Sequence, residues 1–263
     1  MPRSQPPDFV DSHAAGLWNA GPADWRGLVT AVLDAEIDGV PVSLLGMTET
    51  TQLTPWVPPG WGLFHDGPAR DTGRDECTIA WDESVWESAG PGWAEPLTGK
   101  MFRLEDGRVR PRVHAVGKPL RHRVTGHGIV RVELHAPSGT DGGTGLRRNE
   151  RAAVTRDILA GRRQLKKALR KQYPGFQILE SADENVDLRR QWVRQLLDRA
   201  GGIGIWVKRR LPGRGTHGPR LIDGSRHSRR LRLVLARVLA RVRPFDHRPL
   251  VAGYRFLGKK RRR

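Results

Sequence analysis

Eight polar residues stand at the ends of apolar runs or in turns beside them: Asn19, Glu49, His135, Asp183, Asn185, Asp223, Asp246 and His247. Strand ends around one sheet can converge in space. A set of Asp, Glu and Asn side chains offers the oxygen ligands that a hard cation such as Mg²⁺ or Mn²⁺ requires. Two histidines among carboxylates add an acid/base pair, since a neutral imidazole titrates near neutrality. The chain has no CxxC or HExxH spacing, so a closed zinc site is not expected, and no GxxxxGK[ST] phosphate loop. Each residue by itself is also an ordinary strand-end or turn former. The chemistry therefore rests on their occurring together.

The elements that would position them alternate between two periodicities. Residues 25–37 place Trp25, Leu28, Val29, Val32, Leu33 and Ile37 on one helical face, with Asp24 as N-cap. VPVSLLGM then reads as a buried strand ending near Glu49, and ECTIAW (76–81) as a second. A loop is expected from Pro55 to Gly60 and beyond, and residues 84–100 are turn-rich. GIVRVELH (128–135) alternates, with Val130, Val132 and Leu134 facing one way and Arg131, Glu133 and His135 the other. After the glycine-rich 138–145 loop, a helix is expected over 149–171. Its inward side carries Val154, Ile158, Leu165 and Leu169, and its outer face is basic. FQILE (176–180) is a further buried strand, 187–200 looks helical, 227–243 is basic and amphipathic, and LVAGYRF closes the chain as a strand. No internal repeat and no interdomain linker stands out. The expectation is one α/β domain over 1–257, followed by a basic tail at 258–263.

Bulk properties narrow the partner. The 263-residue chain has a net charge of +18 and 37% apolar residues. Residues 1–100 hold 5 Lys/Arg against 15 Asp/Glu, whereas residues 101–263 hold 41 against 13. That asymmetry points to a polyanion partner for the second half, although a high-GC codon bias also enriches Arg. The single Cys77, the lack of an apolar leader and the absence of any long apolar run suggest a reducing, cytoplasmic setting without a membrane span. Nothing sets the oligomeric state.

Five segments, in order, resemble the endonuclease/exonuclease/phosphatase superfamily, with its deoxyribonuclease-like fold. LLGMTET resembles the strand that ends on a metal-binding Glu. RVELHAPSG resembles the strand that ends in a catalytic His, and SADENVD resembles Gly-Asp-Phe-Asn followed by an acid. RLIDG resembles the Arg-Ile-Asp strand, and FDHRPLVAGYRF the terminal Ser-Asp-His-Xaa-Pro motif. The chain departs from that pattern at Ala182 (usually Gly), Glu184 (usually Phe or Trp) and Phe245 (often Ser). The resemblance implies a four-layered α/β sandwich, two packed mixed β-sheets flanked by helices. It implies a Mg²⁺-dependent phosphodiesterase, with Mn²⁺ as a substitute and nucleic acid as the substrate. Carried over, Glu49, Asn19 and Asp246 would bind metal, and Asp183 and Asn185 would position water and phosphate. His247, oriented by Asp223, would be the general base. His135, paired with Glu76, would be the general acid. Two alternatives stand beside this reading: a small-molecule or lipid-headgroup phosphoesterase of the same fold, and a catalytically inactive nucleic-acid-binding relative.

Overall fold

The structure, a computed structural model, describes residues 5–15, 21–50, 56–65, 77–98, 102–103, 109–110, 114–136, 148–184, 203–204, 223–245 and 247–257. In chain order the elements are β1 (Phe9–Ala15), α1 (Pro22–Leu33), β2 (Glu36–Ile37), β3 (Val40–Thr48), β4 (Trp61–His65), β5 (Cys77–Asp82), β6 (Trp86–Ser88), β7 (Trp93–Pro96), β8 (Phe102–Arg103) and β9 (Val109–Arg110). There follow β10 (His114–His122), β11 (Gly128–His135), α2 (Arg148–Gln172), β12 (Gln177–Asp183), β13 (Ile203–Gly204), β14 (Asp223–His227), β15 (Leu231–Val238) and β16 (Leu250–Phe256).

Two mixed sheets result. The first runs β15-β16-β1-β3-β5-β4, with β2 on β3. The second runs β13-β14-β12-β11-β10-β6, with β7 on β10. Each contains one parallel pair, β1 with β3 and β11 with β12, among antiparallel neighbours. The likeness between the two sheets is a repeat of topology that the sequence does not display. Three clusters of buried side chains define the layers. Phe9, Leu44, Ile79, Trp86, Leu120, Ile129, Leu179 and Tyr254 fill the space between the sheets. Trp25, Leu28, Val29 and Val32 of α1 cover the outer face of the first sheet, and Val154, Ile158 and Leu169 of α2 cover that of the second. The order α1, sheet, sheet, α2 is the expected four-layered sandwich. It buries the central strands on both faces and explains why VPVSLLGM reads as a continuous run.

Several boundaries differ from expectation. Helix α1 begins at Pro22 and stops at Leu33. Pro suits the first helical position. Asp24 is not the N-cap but the third helical residue, where its carboxylate accepts the Gly21 N–H at 2.9 Å. Ile37 lies instead in β2, joined to β3 by Asp38-Gly39, both at positive φ. That is the two-residue hairpin turn for which Asp-Gly is the strongest short-range signal. Strands β4, β6 and β7 occupy stretches expected to be loop or turn, because β4 pairs with β5 and both β6 and β7 pair with β10. Within the basic, amphipathic 227–243 stretch, residues 231–238 form the edge strand β15. The loop at 138–145, the helix at 187–200 and the tail at 258–263 lie outside the described residues. No helix among the described residues is long and apolar enough to cross a membrane.

Candidate active site at one end of the sheets

Strand β11 ends at His135 and the parallel β12 at Asp183. The two residues are in register, and the Ala136 N–H donates to the Asp183 carbonyl at 2.8 Å. Alternation along β12 sends Leu179 between the sheets and Ile178 and Ala182 toward α2. Asp183 therefore shares the inner face with Leu179. On the other sheet β3 ends at Thr48, and Glu49 takes φ 58°. A left-handed non-glycine residue is uncommon and strained. Here it turns the Glu49 side chain out of the strand's alternation, while the next residue is pinned by a 2.9 Å contact between the Thr50 and Thr78 hydroxyls.

The four side chains meet. His135 Nε2 lies 3.6 Å from Asp183 Oδ2 and 3.8 Å from Glu49 Oε1, and His247 Nε2 lies 4.0 Å from the same Asp183 oxygen. Ligand atoms of Glu49, His135 and Asp183 all fall within 4.8 Å of one another, a spacing that would let them hold a divalent cation. Asp183 and both histidines are buried, while Glu49 is 26% exposed and opens the cluster to solvent. The donor set fits a hard cation, since two carboxylates supply oxygens and no thiolate is among them.

Of the other expected site residues, Asp223 is placed through its backbone: it is opposite Asp183 in the β12–β14 register. It begins β14 instead of ending a strand. Asn19, Glu76, Asn185 and Asp246 lie outside the described residues.

The three departures from the superfamily pattern have local explanations. Ala182 packs its methyl into the core under α2. Phe245 is fully buried, edge-on to Trp25 at 5.3 Å, and its carbonyl accepts from Arg241 Nε at 2.6 Å, which anchors the segment entering His247. Glu184 points toward α2, where Arg162 donates to it at 2.8 Å. Arg162 and Lys166 are buried on the inner side of α2, not on the basic outer face expected for them. They face Glu180 at 3.6 and 3.1 Å. Burial works against the Glu180 carboxylate, but Lys166, Arg162 and Arg226 outweigh it and hold its pKa down at about 2.

A second buried polar network lies between the sheets just below the site, and sequence reasoning missed it. His13 Nδ1 sits 2.6 Å from Glu133, and Arg131 pairs with Asp11 at 2.8 Å and with Glu133 at 3.0 Å. Burial pushes the Asp11 carboxyl up to about 6 against the pull of Arg131, with Glu133 adding to the rise. Gly46 leaves room for the network, since a Cβ there would run into the Glu133 and Arg131 side chains. The signal that could have found it is the alternation of FVDSHAA, which puts Asp11 and His13 on the face of Phe9.

No protein-family model matches the sequence, and no curated protein matches it. Solved structures do match. One is an endonuclease/exonuclease/phosphatase from Bacteroides vulgatus, at 12% identity over 94% of this chain and 98% of that one, with TM-score 0.66. A mannosyl-6-phosphatase from Bacteroides thetaiotaomicron matches at 14% identity over 94% and 100%, TM-score 0.62. D. rerio TDP2, complexed with a single-strand DNA product, matches at 10% identity over 94% and 98%, TM-score 0.58. The fold of the chain is that of the endonuclease/exonuclease/phosphatase superfamily.

Proposed function

We propose that the protein is a metal-dependent phosphodiesterase that hydrolyses nucleic-acid phosphodiester bonds. The observation that carries this reading is the convergence of Glu49, His135, Asp183 and His247, from two sheets, at one solvent-open end of a superfamily fold. In this reading Glu49 and Asp183 bind Mg²⁺ or Mn²⁺, with Asn19 and Asp246 completing the set. The ion, when bound, supplies positive charge against the negative charge that builds up during attack on phosphorus. His247 Nε2 accepts a proton from the attacking water, and Asp223 fixes its tautomer. His135 Nε2 gives a proton to the leaving ester oxygen as the P–O bond breaks, with Glu76 as its partner. Asn185 orients the phosphate. The products are a phosphate monoester and an alcohol.

The substrate class rests on charge. The net +28 of residues 101–263 suits a long polyanion better than a single phosphorylated small molecule, because contacts along a backbone add. The similar structures include both a sugar phosphatase and a DNA-bound protein, so the fold by itself does not choose. A digestion panel tests the reading: supercoiled plasmid, linear duplex, single strand, RNA and inositol phosphates, each with Mg²⁺ and with EDTA. Cleavage of a polynucleotide that EDTA abolishes is expected. Turnover of inositol phosphates alone would move the protein to the small-molecule class, and undiminished cleavage in EDTA would end the metal mechanism.

A further inference from the structure

We infer that the solvent face of α2 is a track for the phosphate backbone of the substrate as it leaves the catalytic end. This inference rests on the nucleic-acid reading above and assigns the partner of a surface that reading does not use. Helix α2 is the crossover between the parallel strands β11 and β12, so it runs antiparallel to both. Its N-terminal end therefore lies at the end of the sheet where His135 and Asp183 sit, and its body leads away from them.

On the outer face Arg156, Arg163, Lys167, Arg170 and Lys171 are exposed. At about 100° per residue the first four fall within roughly 60° of arc and span about 21 Å. The pairs Arg163/Lys167, Lys167/Arg170 and Lys167/Lys171 are like charges at three- and four-residue spacings, which destabilise a helix. None of the five makes an ion pair among the described residues. By contrast, exposed Arg121 and Arg123 on the same sheet share Glu87 at 3.7 and 3.6 Å. A helix face that keeps its mutual repulsion is complementary to a polyanion. One duplex strand carries about one phosphate per 3.4 Å of axial rise, so a stripe of about 21 Å is long enough to meet several of them.

The test compares two charge-matched variants of the full chain. One carries Arg163→Gln, Lys167→Gln and Arg170→Gln. The other carries Arg229→Gln, Arg230→Gln and Arg232→Gln, three exposed arginines at and beside the start of β15 on the other sheet. Binding of a labelled 24-base-pair duplex is read by fluorescence anisotropy in EDTA across a salt series. Hydrolysis of bis(p-nitrophenyl) phosphate with Mg²⁺ is read separately. The α2 variant should bind the duplex at least tenfold more weakly at low salt. Its log–log salt slope should be shallower by up to about 2.7, near 0.9 per lost contact. Its hydrolysis of the small diester should be unchanged, and the control variant should lose much less. Duplex binding equal to wild type, or equal losses in both variants, would overturn the track while leaving polynucleotide cleavage by the wild type standing. A wild type that cleaves the small diester yet neither binds nor cleaves polynucleotide would overturn the substrate reading, and the track with it.

Discussion

Arg162→Met should destabilise the protein by about 3–5 kcal/mol. Arg162 is fully buried, and its guanidinium sits 2.8 Å from Glu184 and 3.6 Å from Glu180. At an effective dielectric near 20, a unit pair at that shorter distance attracts by roughly 6 kcal/mol. Desolvating two ions costs several kcal/mol each, so the intact pair contributes little net stability. Removing one partner is different, because Glu184 then stays buried without its cation, which typically costs about 3–5 kcal/mol. For a chain of this size that corresponds to a melting temperature lower by roughly 6–20 °C. The double variant Arg162→Met/Glu184→Phe removes both charges and restores the aromatic usual in the superfamily. It should recover most of the loss, since apolar replacement of a buried pair is often neutral or stabilising. The assay is thermal melting by circular dichroism for wild type, both single variants and the double, as a double-mutant cycle. Because Glu184 adjoins Asp183 at the end of β12, the turnover of Arg162→Met, measured below its melting transition, should fall and return in the double variant. A single variant within 1 kcal/mol of wild type would refute the reasoning. So would a double variant no more stable than Arg162→Met.

Other consequences concern the site and acid stability. His135→Ala and His247→Ala should each lower single-turnover cleavage by roughly two to four orders of magnitude. The double variant should lose far less than the product of the two, and near-wild-type cleavage by His247→Ala would exclude it as the base. Glu49→Gln should raise the Mg²⁺ concentration needed for half-maximal activity, read in a metal titration, because it removes an anionic ligand while keeping its shape; an unchanged titration would remove Glu49 from the metal site. Glu180, with its pKa lowered from 4.5 to about 2, contributes stability that is present above pH 4.5 and is lost as the pH falls toward 2. Urea titrations over that range should show a steep acid limb that Glu180→Gln flattens. Asp11, raised from 3.8 to about 6, works in the opposite direction: its contribution is lost as the pH rises through that window.

The described part of the candidate site was legible because most of its residues terminate strands. Glu49, His135 and Asp183 each follow an apolar run, and run ends are visible in a linear sequence. The Asp11, His13, Arg131 and Glu133 network was not legible in the same way. Nothing in RVEL says that the polar alternate face turns inward. Alternation sets Arg131 and Glu133 opposite Val130, Val132 and Leu134, but that face becomes interior only when the first sheet closes over it. The same holds for Arg162 and Lys166, whose basic character matches the outer stripe of α2 while their angular position puts them under it.

The sequence by itself determined the local periods: the apolar face of α1, the length of α2 and the doubly buried central strands. It also determined the identity and order of the polar groups at the strand ends. Those properties depend on neighbours within a turn or two of chain, so they are written where they act. Tertiary structure decided the rest. It paired β4 with β5 and both β6 and β7 with β10, made an edge strand of residues 231–238, and brought Glu49 from one sheet to His135 and Asp183 of the other. It also decided which charges are buried, because a polar side chain becomes interior only when another layer covers it, and the covering layer lies elsewhere in the chain.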